Sequence, residues 1–322
     1  MSLGTIYEPV REDLAKVEAR LKAVSEVSPS WLAELLAHSL GGGGKRVRPA
    51  LVLLSGRFYH YDPGCLLPMA AALEVLHTAT LVHDDAIDHS PLRRSRPTVN
   101  RLWGEDKAIL LGDYLLAQAE ELVSETQNPR VIRLFARAIM TIAQGELGQA
   151  FSAFNLEQTR EQYLARIAAK TASLITLATE SGAILSQAPE GMITALKDYG
   201  FNLGIAFQII DDILDFVGDE AEMGKPTGSD LSEGTLTLPA MLVLERYPGA
   251  NPLRRLFQHE GDKQENISLA IELVSSSGVL EECYQVAQDY SARAGANLES
   301  LPDSPARKSL RELARYVVAR KK

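Results

Sequence analysis

The chain has 322 residues, of which 46% are hydrophobic, and its 33 basic and 42 acidic side chains give a formal charge of −9. This apolar fraction can fill a large core and excludes disorder as the main state, while the acidic balance argues against nucleic acid as a partner, because phosphate groups need a basic face. We expect no membrane span from the short apolar runs, and the lack of an export signal together with two distant cysteines predicts a cytoplasmic protein.

In chain order, apolar residues recur at three- and four-residue steps in long segments, which predicts helices. These segments are residues 9–24, 30–38, 66–89, 107–126, 129–154, 158–186, 190–217 and 237–245, with further amphipathic helices in 251–319. Short breaks containing Gly or Pro separate them, and no Ser- or Pro-rich linker divides the chain. We therefore expect one all-α domain over residues 1–322.

The sequence Asp-Asp-x-x-Asp occurs twice within these helices, each time in a long apolar run. The six carboxylates are Asp84, Asp85 and Asp88 in the first copy, and Asp211, Asp212 and Asp215 in the second. The first and last aspartate of each copy share a helical face, so that they can reach one ion together. Buried charges without partners cost several kcal/mol each, and no basic residue lies in the apolar run 201–216. We expect about two or three Mg²⁺ ions here, each bridged to the substrate, because Mg²⁺ takes one or two carboxylates plus substrate phosphates.

A solvated acidic face and a di-iron centre account for these carboxylates less well. A solvated face usually accounts for one such motif, but it does not account for helices as apolar as these. A di-iron carboxylate bundle needs two Glu-x-x-His spacings, and the chain has one, from Glu74 to His77.

Basic residues are scarce inside the predicted helices and gather at four junctions. They are Lys45, Arg46 and Arg48 in GGKRVRP, then Arg93, Arg94 and Arg96 after the first acidic copy, then Lys170 beside Thr171, and Lys225 in GKPTG. Guanidinium groups bind phosphate bidentately, and lysines act as point charges. Carboxylates that recruit Mg²⁺ beside several basic patches describe a diphosphate site. The alternative is that the arginines simply pair with the aspartates.

The ordered motifs GGKRVRP, LVHDDAIDHSPLRRSRPT, Gly112-Asp113, KTASL, FQIIDDILDF and GKPTGSDL span residues 43–231. In this set and order, the sequence resembles the trans-isoprenyl diphosphate synthases of the polyprenyl synthetase family. The resemblance implies the isoprenoid synthase fold, a single-domain bundle of antiparallel helices around a central cavity, and a homodimer. It also implies 1′-4 head-to-tail condensation of isopentenyl diphosphate with an allylic diphosphate, which is dimethylallyl, geranyl, farnesyl or geranylgeranyl diphosphate.

The resemblance also implies a role for each matching residue. The isopentenyl diphosphate ligands would be Lys45, Arg48, His77 and Arg94, and the allylic diphosphate ligands would be Arg93, Lys170 and Lys225. The principal Mg²⁺ ligands would be Asp84, Asp88 and Asp211, with Asp85, Asp212 and Asp215 in or next to that shell. Thr171 and Gln208 would place oxygen dipoles near the developing cation.

The chain departs from the family pattern in two places. Thr235 and Leu236 stand where the family often has a lysine, which puts a third lysine contact to the allylic diphosphate in doubt. Ser95 replaces the Gly that usually follows the two arginines, which is a milder change.

Small residues precede the first acidic copy and bear on product length. Ala79 and Thr80 lie about one helical turn, roughly 5.4 Å, before Asp84, and Leu76 with Val75 form the turn before that. Short-chain family members have aromatic residues at this level, so that the resemblance predicts a product of geranylgeranyl length or longer. The alternative is that Ala79 only packs closely against a neighbouring helix.

Three points remain open from the sequence. A terpene cyclase shares the fold and the first acidic motif, but its second motif is usually of the Asn-Ser-Glu type. A non-catalytic or partner-dependent subunit of a heteromeric prenyl diphosphate synthase is the second alternative. The basic end at residues 315–322 is solvated, favours a helix C-terminus, or closes over the site.

Overall fold

The computed structural model describes residues 2–218 and 227–320, and this part of the chain is almost entirely helical. The α-helices are α1 (Leu3–Ile6), α2 (Arg11–Val24), α3 (Ser30–Leu40), α4 (Val47–Gly56), α5 (Pro63–Ile87), α6 (Val99–Trp103), α7 (Glu105–Ser124), α8 (Pro129–Phe151), α9 (Arg160–Ile167), α10 (Ser173–Leu185), α11 (Glu190–Val217), α12 (Ser229–Ser232), α13 (Leu238–Arg246), α14 (Pro252–Phe257), α15 (Lys263–Ser276), α16 (Val279–Asn297) and α17 (Pro305–Ala319). Short 3₁₀ turns lie at Glu8–Val10 and Leu298–Ser300, and a π-helical turn lies at Ala168–Ala172. The prediction of an all-α fold is confirmed.

Two long helices, α5 and α11, organise the bundle. Helix α5 packs against α4 and α7, whereas α11 packs against α10 and α16, and α10 joins the two groups through its contact with α4. Short connections make α7 and α8, and likewise α10 and α11, antiparallel neighbours. Each of the two long helices ends in one copy of the acidic motif, so that the apolar packing of their bodies fixes where the carboxylates lie.

Helix α5 begins and continues for clear local reasons. The Asp62 side chain accepts a hydrogen bond from the Gly64 amide at 2.8 Å, and Pro63 occupies the first helical position, where a missing N–H costs nothing. Most of its residues are buried, including Leu73 and Leu76 at 0% exposure. By length and composition α5 is also apolar enough to cross a membrane, although the sequence predicted no span. However, 67% of its most apolar window is buried inside the protein, as in the core helix of a globular fold.

A short antiparallel hairpin follows the first acidic copy and was not predicted. Strands β1 (Leu92–Arg93) and β2 (Arg96–Pro97) pair through Arg93 with Arg96. The two turn residues, Arg94 and Ser95, have φ angles of 51° and 60°, which is the left-handed geometry of a type I′ turn. Such turns normally carry Asn or Gly, so that an Arg-Ser turn gives no sequence signal.

We predict that Ser95→Gly stabilises the protein. A left-handed φ costs an L-residue about 1–2 kcal/mol, and glycine removes this cost while it loses about 0.5–1 kcal/mol of chain entropy on folding. The free energy of unfolding, measured with urea, should rise by up to about 1 kcal/mol. Ser90→Gly, just before the hairpin at a residue without positive φ, is the control and should lower it. Equal losses in both variants would contradict this account of the turn.

Candidate active site

The first acidic copy lies at the C-terminal end of α5, and its carboxylates lie on two sides of this helix end. Arg93 binds Asp85 through Nε, 2.9 Å from both carboxylate oxygens, and through Nη2 at 2.8 Å. Asp84 and Asp88 share the other side, and within the described residues neither carboxylate forms an ion pair or a hydrogen bond. Burial raises the pKa of Asp84 to about 6, although the Lys170 charge lowers it, and burial also raises the pKa of Asp88.

The second acidic copy lies at the end of α11, and its first aspartate faces the C-terminal segment of the chain. Arg320 donates to Asp211 at 2.8 Å and stacks 4.6 Å above the Phe207 ring. The Arg320 side chain is only 10% exposed. The basic end is divided: Arg315 is exposed at the end of α17, Arg320 contacts Asp211, and Lys321 and Lys322 lie outside the described residues.

The other two aspartates of the second copy are buried and bound from within the protein. Asp212 accepts hydrogen bonds from Tyr163 at 2.7 Å and from Gln208 at 2.8 Å. Burial raises the pKa of Asp212, and the nearby Asp230 charge raises it further. Asp215 is 0% exposed and accepts from the Ser229 hydroxyl at 2.7 Å, where α12 begins. Both residues therefore hold neighbouring segments in place, whatever further role they have.

A π-helical turn between α9 and α10 links the two acidic copies. Its Lys170 lies beside Glu146 of α8, at 2.9 Å, and its charge acts on Asp84 and Asp88. The next residue, Thr171, donates instead to Gln208 of α11, which in turn donates to Asp212. Extra residues in a helix re-aim side chains and are frequent at functional sites. Here the consecutive side chains of Lys170 and Thr171 contact different helices, α8 and α11.

Two glycines allow this turn to fit between its neighbours. A Cβ atom added at Gly145 of α8 would lie 2.8 Å from the Ala169 Cβ, and one added at Gly204 of α11 would lie 2.7 Å from the Ala172 Cβ. Both separations are far below ordinary carbon contacts. The turn is therefore clamped between two helix backbones.

The residues proposed to bind isopentenyl diphosphate come together beside α5. Arg48 lies among Glu74, Asp211 and Arg94, and its buried Nε has no hydrogen-bond partner in the part of the chain that the structure describes. Burial lowers the pKa of His77 well below its usual range, and the neighbouring Arg48, Arg93 and Arg94 guanidinium groups lower it further. His77 is thus neutral at physiological pH. A guanidinium with a buried, orphaned N–H beside other cations is suited to an anionic group.

The outer residues of this cluster are placed by the loops before α4 and after α5. The Lys45 ammonium interacts with both Asp211 and Arg320, and burial lowers its pKa. Arg94 donates to the Gly43 carbonyl at 2.8 Å, which ties the hairpin to the glycine-rich loop. By contrast, Arg46 is paired with Glu18 and with Glu74, and so it supports the loop.

Two further positions noted in the sequence are Lys225, a predicted diphosphate ligand, and Thr235, where the family often has a lysine. Lys225 lies outside the described residues. Thr235 is 9% exposed and lines a cavity of about 70 Å³ together with Lys170, Gln208 and Arg166. Arg166 therefore supplies a cation near the position where the lysine is absent.

The chain-length residues lie on α5 below the first acidic copy. Ala79 and Leu76 are 0% exposed, whereas Thr80 is only half-buried and donates to the His77 carbonyl. Thr80 precedes Asp84 by four residues and therefore shares its helical face. Of the predicted pair, Thr80 is the better placed to face the substrate side.

The carboxylates present would suit Mg²⁺ if other groups supplied part of its oxygen ligands. Within the described residues no group of three or more acidic, His or Cys side chains is close enough to hold a metal by itself. Asp84, which is half-buried, and Asp88, which is exposed, are however oxygen donors without an ionic partner in that part of the chain, and they sit four residues apart on one face. Mg²⁺ needs only one or two carboxylates when phosphates supply further oxygens.

Sequence reasoning missed three features of this site. Glu146 is the one acidic residue of an otherwise basic α8, and that contrast was the available signal. The contacts of Arg320 depend on the path of the chain after α16 and could not be inferred from its position in the sequence. The π-helical turn left no signal, since residues 158–186 follow one continuous helical pattern.

The chain is similar to known proteins along most of its length. Residues 29–274 match the polyprenyl synthetase family. Heptaprenyl diphosphate synthase component 2 of Bacillus subtilis is 37% identical over 321 residues, which cover 100% of this chain and 92% of that protein. A polyprenyl synthase from Caulobacter crescentus, crystallised with calcium and isoprenyl diphosphate, superposes with a TM-score of 0.95 at 35% identity, covering 100% of this chain and 98% of that one. A decaprenyl diphosphate synthase from Rhodobacter capsulatus gives a TM-score of 0.91 at 39% identity, with 98% of both chains covered.

We predict that Gly204→Ala disrupts the clamped turn. The new methyl group overlaps Ala172, so that the free energy of unfolding should fall by about 1–3 kcal/mol, and turnover should fall as Lys170 and Thr171 move. Gly295→Ala on α16 is the matched control, because a Cβ there meets nothing within 4 Å. In the control, the free energy of unfolding should rise by about 0.5–1 kcal/mol, because alanine has a higher helix propensity than glycine. If both variants behaved alike in chemical denaturation, the close packing of the turn would be refuted.

Proposed function

Because the chain belongs to the polyprenyl synthetase family, we propose that it condenses isopentenyl diphosphate with an allylic diphosphate, 1′-4 and in the trans configuration, to make a long-chain polyprenyl diphosphate. The observation that carries the proposal is the convergence of Arg48, His77 and Arg94 beside a helix end whose Asp84 and Asp88 carboxylates are not paired by any described residue. A neutral imidazole and guanidinium groups suit a diphosphate, and the carboxylates suit its counterions.

We assign Asp84, Asp88 and Asp211 as the residues that would hold Mg²⁺. When bound, Mg²⁺ neutralises the charge that develops on a departing diphosphate. The Caulobacter relative was crystallised with calcium, another hard cation that prefers oxygen ligands. In the present arrangement Arg320 contacts one carboxylate oxygen of Asp211, Oδ1.

The protein's own side chains then position the two substrates. Lys45, Arg48 and Arg94 bind the diphosphate of isopentenyl diphosphate, while Arg93 and Lys170 bind the allylic diphosphate. Ionisation of the allylic C–O bond is followed by attack of the isopentenyl alkene and loss of a proton, for which the departing diphosphate is the acceptor that the family resemblance suggests. Gln208 lines the same cavity as Lys170 and accepts a hydrogen bond from Thr171, and the dipoles of these two side chains would stabilise positive charge there.

We further propose that the active form is a homodimer. Large apolar side chains are exposed on α7 and α8, including Leu110 at 66%, Met140 at 64%, Leu147 at 61% and Phe151 at 91%. Met140, Leu147 and Phe151 are spaced by seven and four residues and so follow one face of α8. A contiguous apolar face of this kind is typical of an interface between subunits.

A partner-dependent subunit is the second candidate function. One observation favours it: the Bacillus subtilis relative is named as component 2 of its synthase. Apart from Thr235, which stands where the family often has a lysine, the acidic and basic motif residues are present in this chain, which supports activity without a partner. Incubation of the purified chain with isopentenyl and farnesyl diphosphates and Mg²⁺, followed by mass analysis of products, separates the two. Products from the chain alone support the first proposal, and products only with a second component support the other.

We predict that Asp84→Ala and Asp84→Asn both lower kcat at saturating Mg²⁺ by at least about a hundredfold, because several kcal/mol of transition-state stabilisation is lost with the metal ligand. The asparagine variant keeps the side-chain shape and removes only the charge. Asp198→Asn, on the exposed side of α11, is the control and should keep normal turnover. Near-normal turnover of either Asp84 variant would refute the metal assignment.

We predict that Thr80→Phe shortens the main product by at least one isoprene unit, because an aromatic ring one turn below Asp84 would block the growing chain. Ala79→Phe is expected to act in the same direction, but it replaces a fully buried residue and should also cost about 1–3 kcal/mol of stability. Thr80→Ser is the control. Product length is measured by mass analysis. Unchanged lengths in both phenylalanine variants would show that other residues limit the length of the growing chain.

A further inference from the structure

Glu146 and Lys170 form an ion pair in which Glu146 has no role in the proposed substrate binding. The Lys170 ammonium lies 2.9 Å from one Glu146 carboxylate oxygen and 3.1 Å from the other. Both side chains are partly buried, at 33% exposure for Lys170 and 27% for Glu146. The pair joins α8 to the π-helical turn, at the level where Gly145 contacts Ala169.

Three carboxylates compete for the Lys170 ammonium. The charges of Asp84, Glu146 and Asp88 all act on this group and raise its pKa. Reciprocally, the Lys170 charge lowers the pKa of Asp84 and of Asp88, while the Glu146 charge raises both. Of the three carboxylates, only Glu146 is within direct hydrogen-bond distance of the ammonium among the described residues.

We propose that Glu146 is a positioning residue that holds the Lys170 ammonium on the α8 side of the site and so keeps Asp84 and Asp88 open for substrate-bound Mg²⁺. The inference rests on the proposed function, because it assigns a metal to Asp84 and Asp88. Besides Glu146, the carboxylates whose charges act on the ammonium are these two aspartates. An ammonium bound there would occupy the oxygens that the metal requires.

The flexible lysine side chain makes this arrangement reversible. Its four-carbon stem lets the ammonium move between partners without backbone motion, unlike an arginine fork. When the allylic diphosphate arrives with its metal, the ammonium can leave Glu146 for a phosphate oxygen. Glu146 therefore binds the Lys170 ammonium in the absence of substrate, and it releases the ammonium to the diphosphate when substrate binds.

The test measures the Mg²⁺ concentration that half-saturates binding of a non-reactive allylic analogue, farnesyl thiolodiphosphate, by calorimetry on the full chain. Glu146→Gln should raise this concentration about tenfold, in the range found for interacting side chains. Glu146→Asp, which keeps the charge, should remain within about threefold of the unmodified protein. Glu272→Gln, the same change on an exposed part of α15, is the control and should have no effect.

The decisive variant combines Glu146→Gln with Lys170→Gln. If Glu146 acts only by holding Lys170, its replacement should no longer change the Mg²⁺ requirement once the lysine is absent. The same tenfold rise in the Lys170→Gln background would overturn the proposal, because Glu146 would then act on the metal directly. No rise in the single variant would overturn it as well. If the unmodified chain failed to bind the analogue at any Mg²⁺ concentration, the proposed function itself would fail, and this outcome is distinct from the others.

Discussion

The burial of carboxylates at the ends of two apolar helices is the constraint on which the site depends. A buried carboxylate must find a cation, accept hydrogen bonds or become protonated. The structure uses the first two solutions for Asp85, Asp212 and Asp215, which bind Arg93, Tyr163 and Ser229 respectively. Asp84 and Asp88 have no such partner among the described residues, and the Lys170 charge that acts on them is held by Glu146.

Positions of the cations follow from backbone features more than from the number of charges. The π-helical turn sends Lys170 toward α5 and Thr171 toward α11, and glycines on both sides let the helix backbones approach it. The left-handed turn at Arg94 and Ser95 folds the two arginines back over α5. The Arg48 Nε is buried and has no hydrogen-bond partner within the described residues, while the neighbouring Arg46 is paired with Glu18 and Glu74.

Much of the fold and part of the site could be predicted from the sequence. The period of the apolar residues is sufficient for an all-α fold, and the two acidic copies are found because carboxylates in such apolar helices are costly. The pairing of Asp85 with Arg93 was one of two open alternatives, since spacing alone does not show which charges meet. The roles of Glu146 and Arg320 depend on contacts between residues that are 24 and 109 positions apart, which no local pattern encodes.

The most direct test of the central claim is a crystal structure with Mn²⁺ and a non-reactive allylic diphosphate, in which anomalous scattering locates the metal. We expect metal peaks within coordination distance of oxygens of Asp84, Asp88 and Asp211 and of the diphosphate, because such small cations take one or two carboxylates plus substrate phosphates. Peaks confined to surface carboxylates, or a diphosphate bound away from the ends of α5 and α11, would contradict the account.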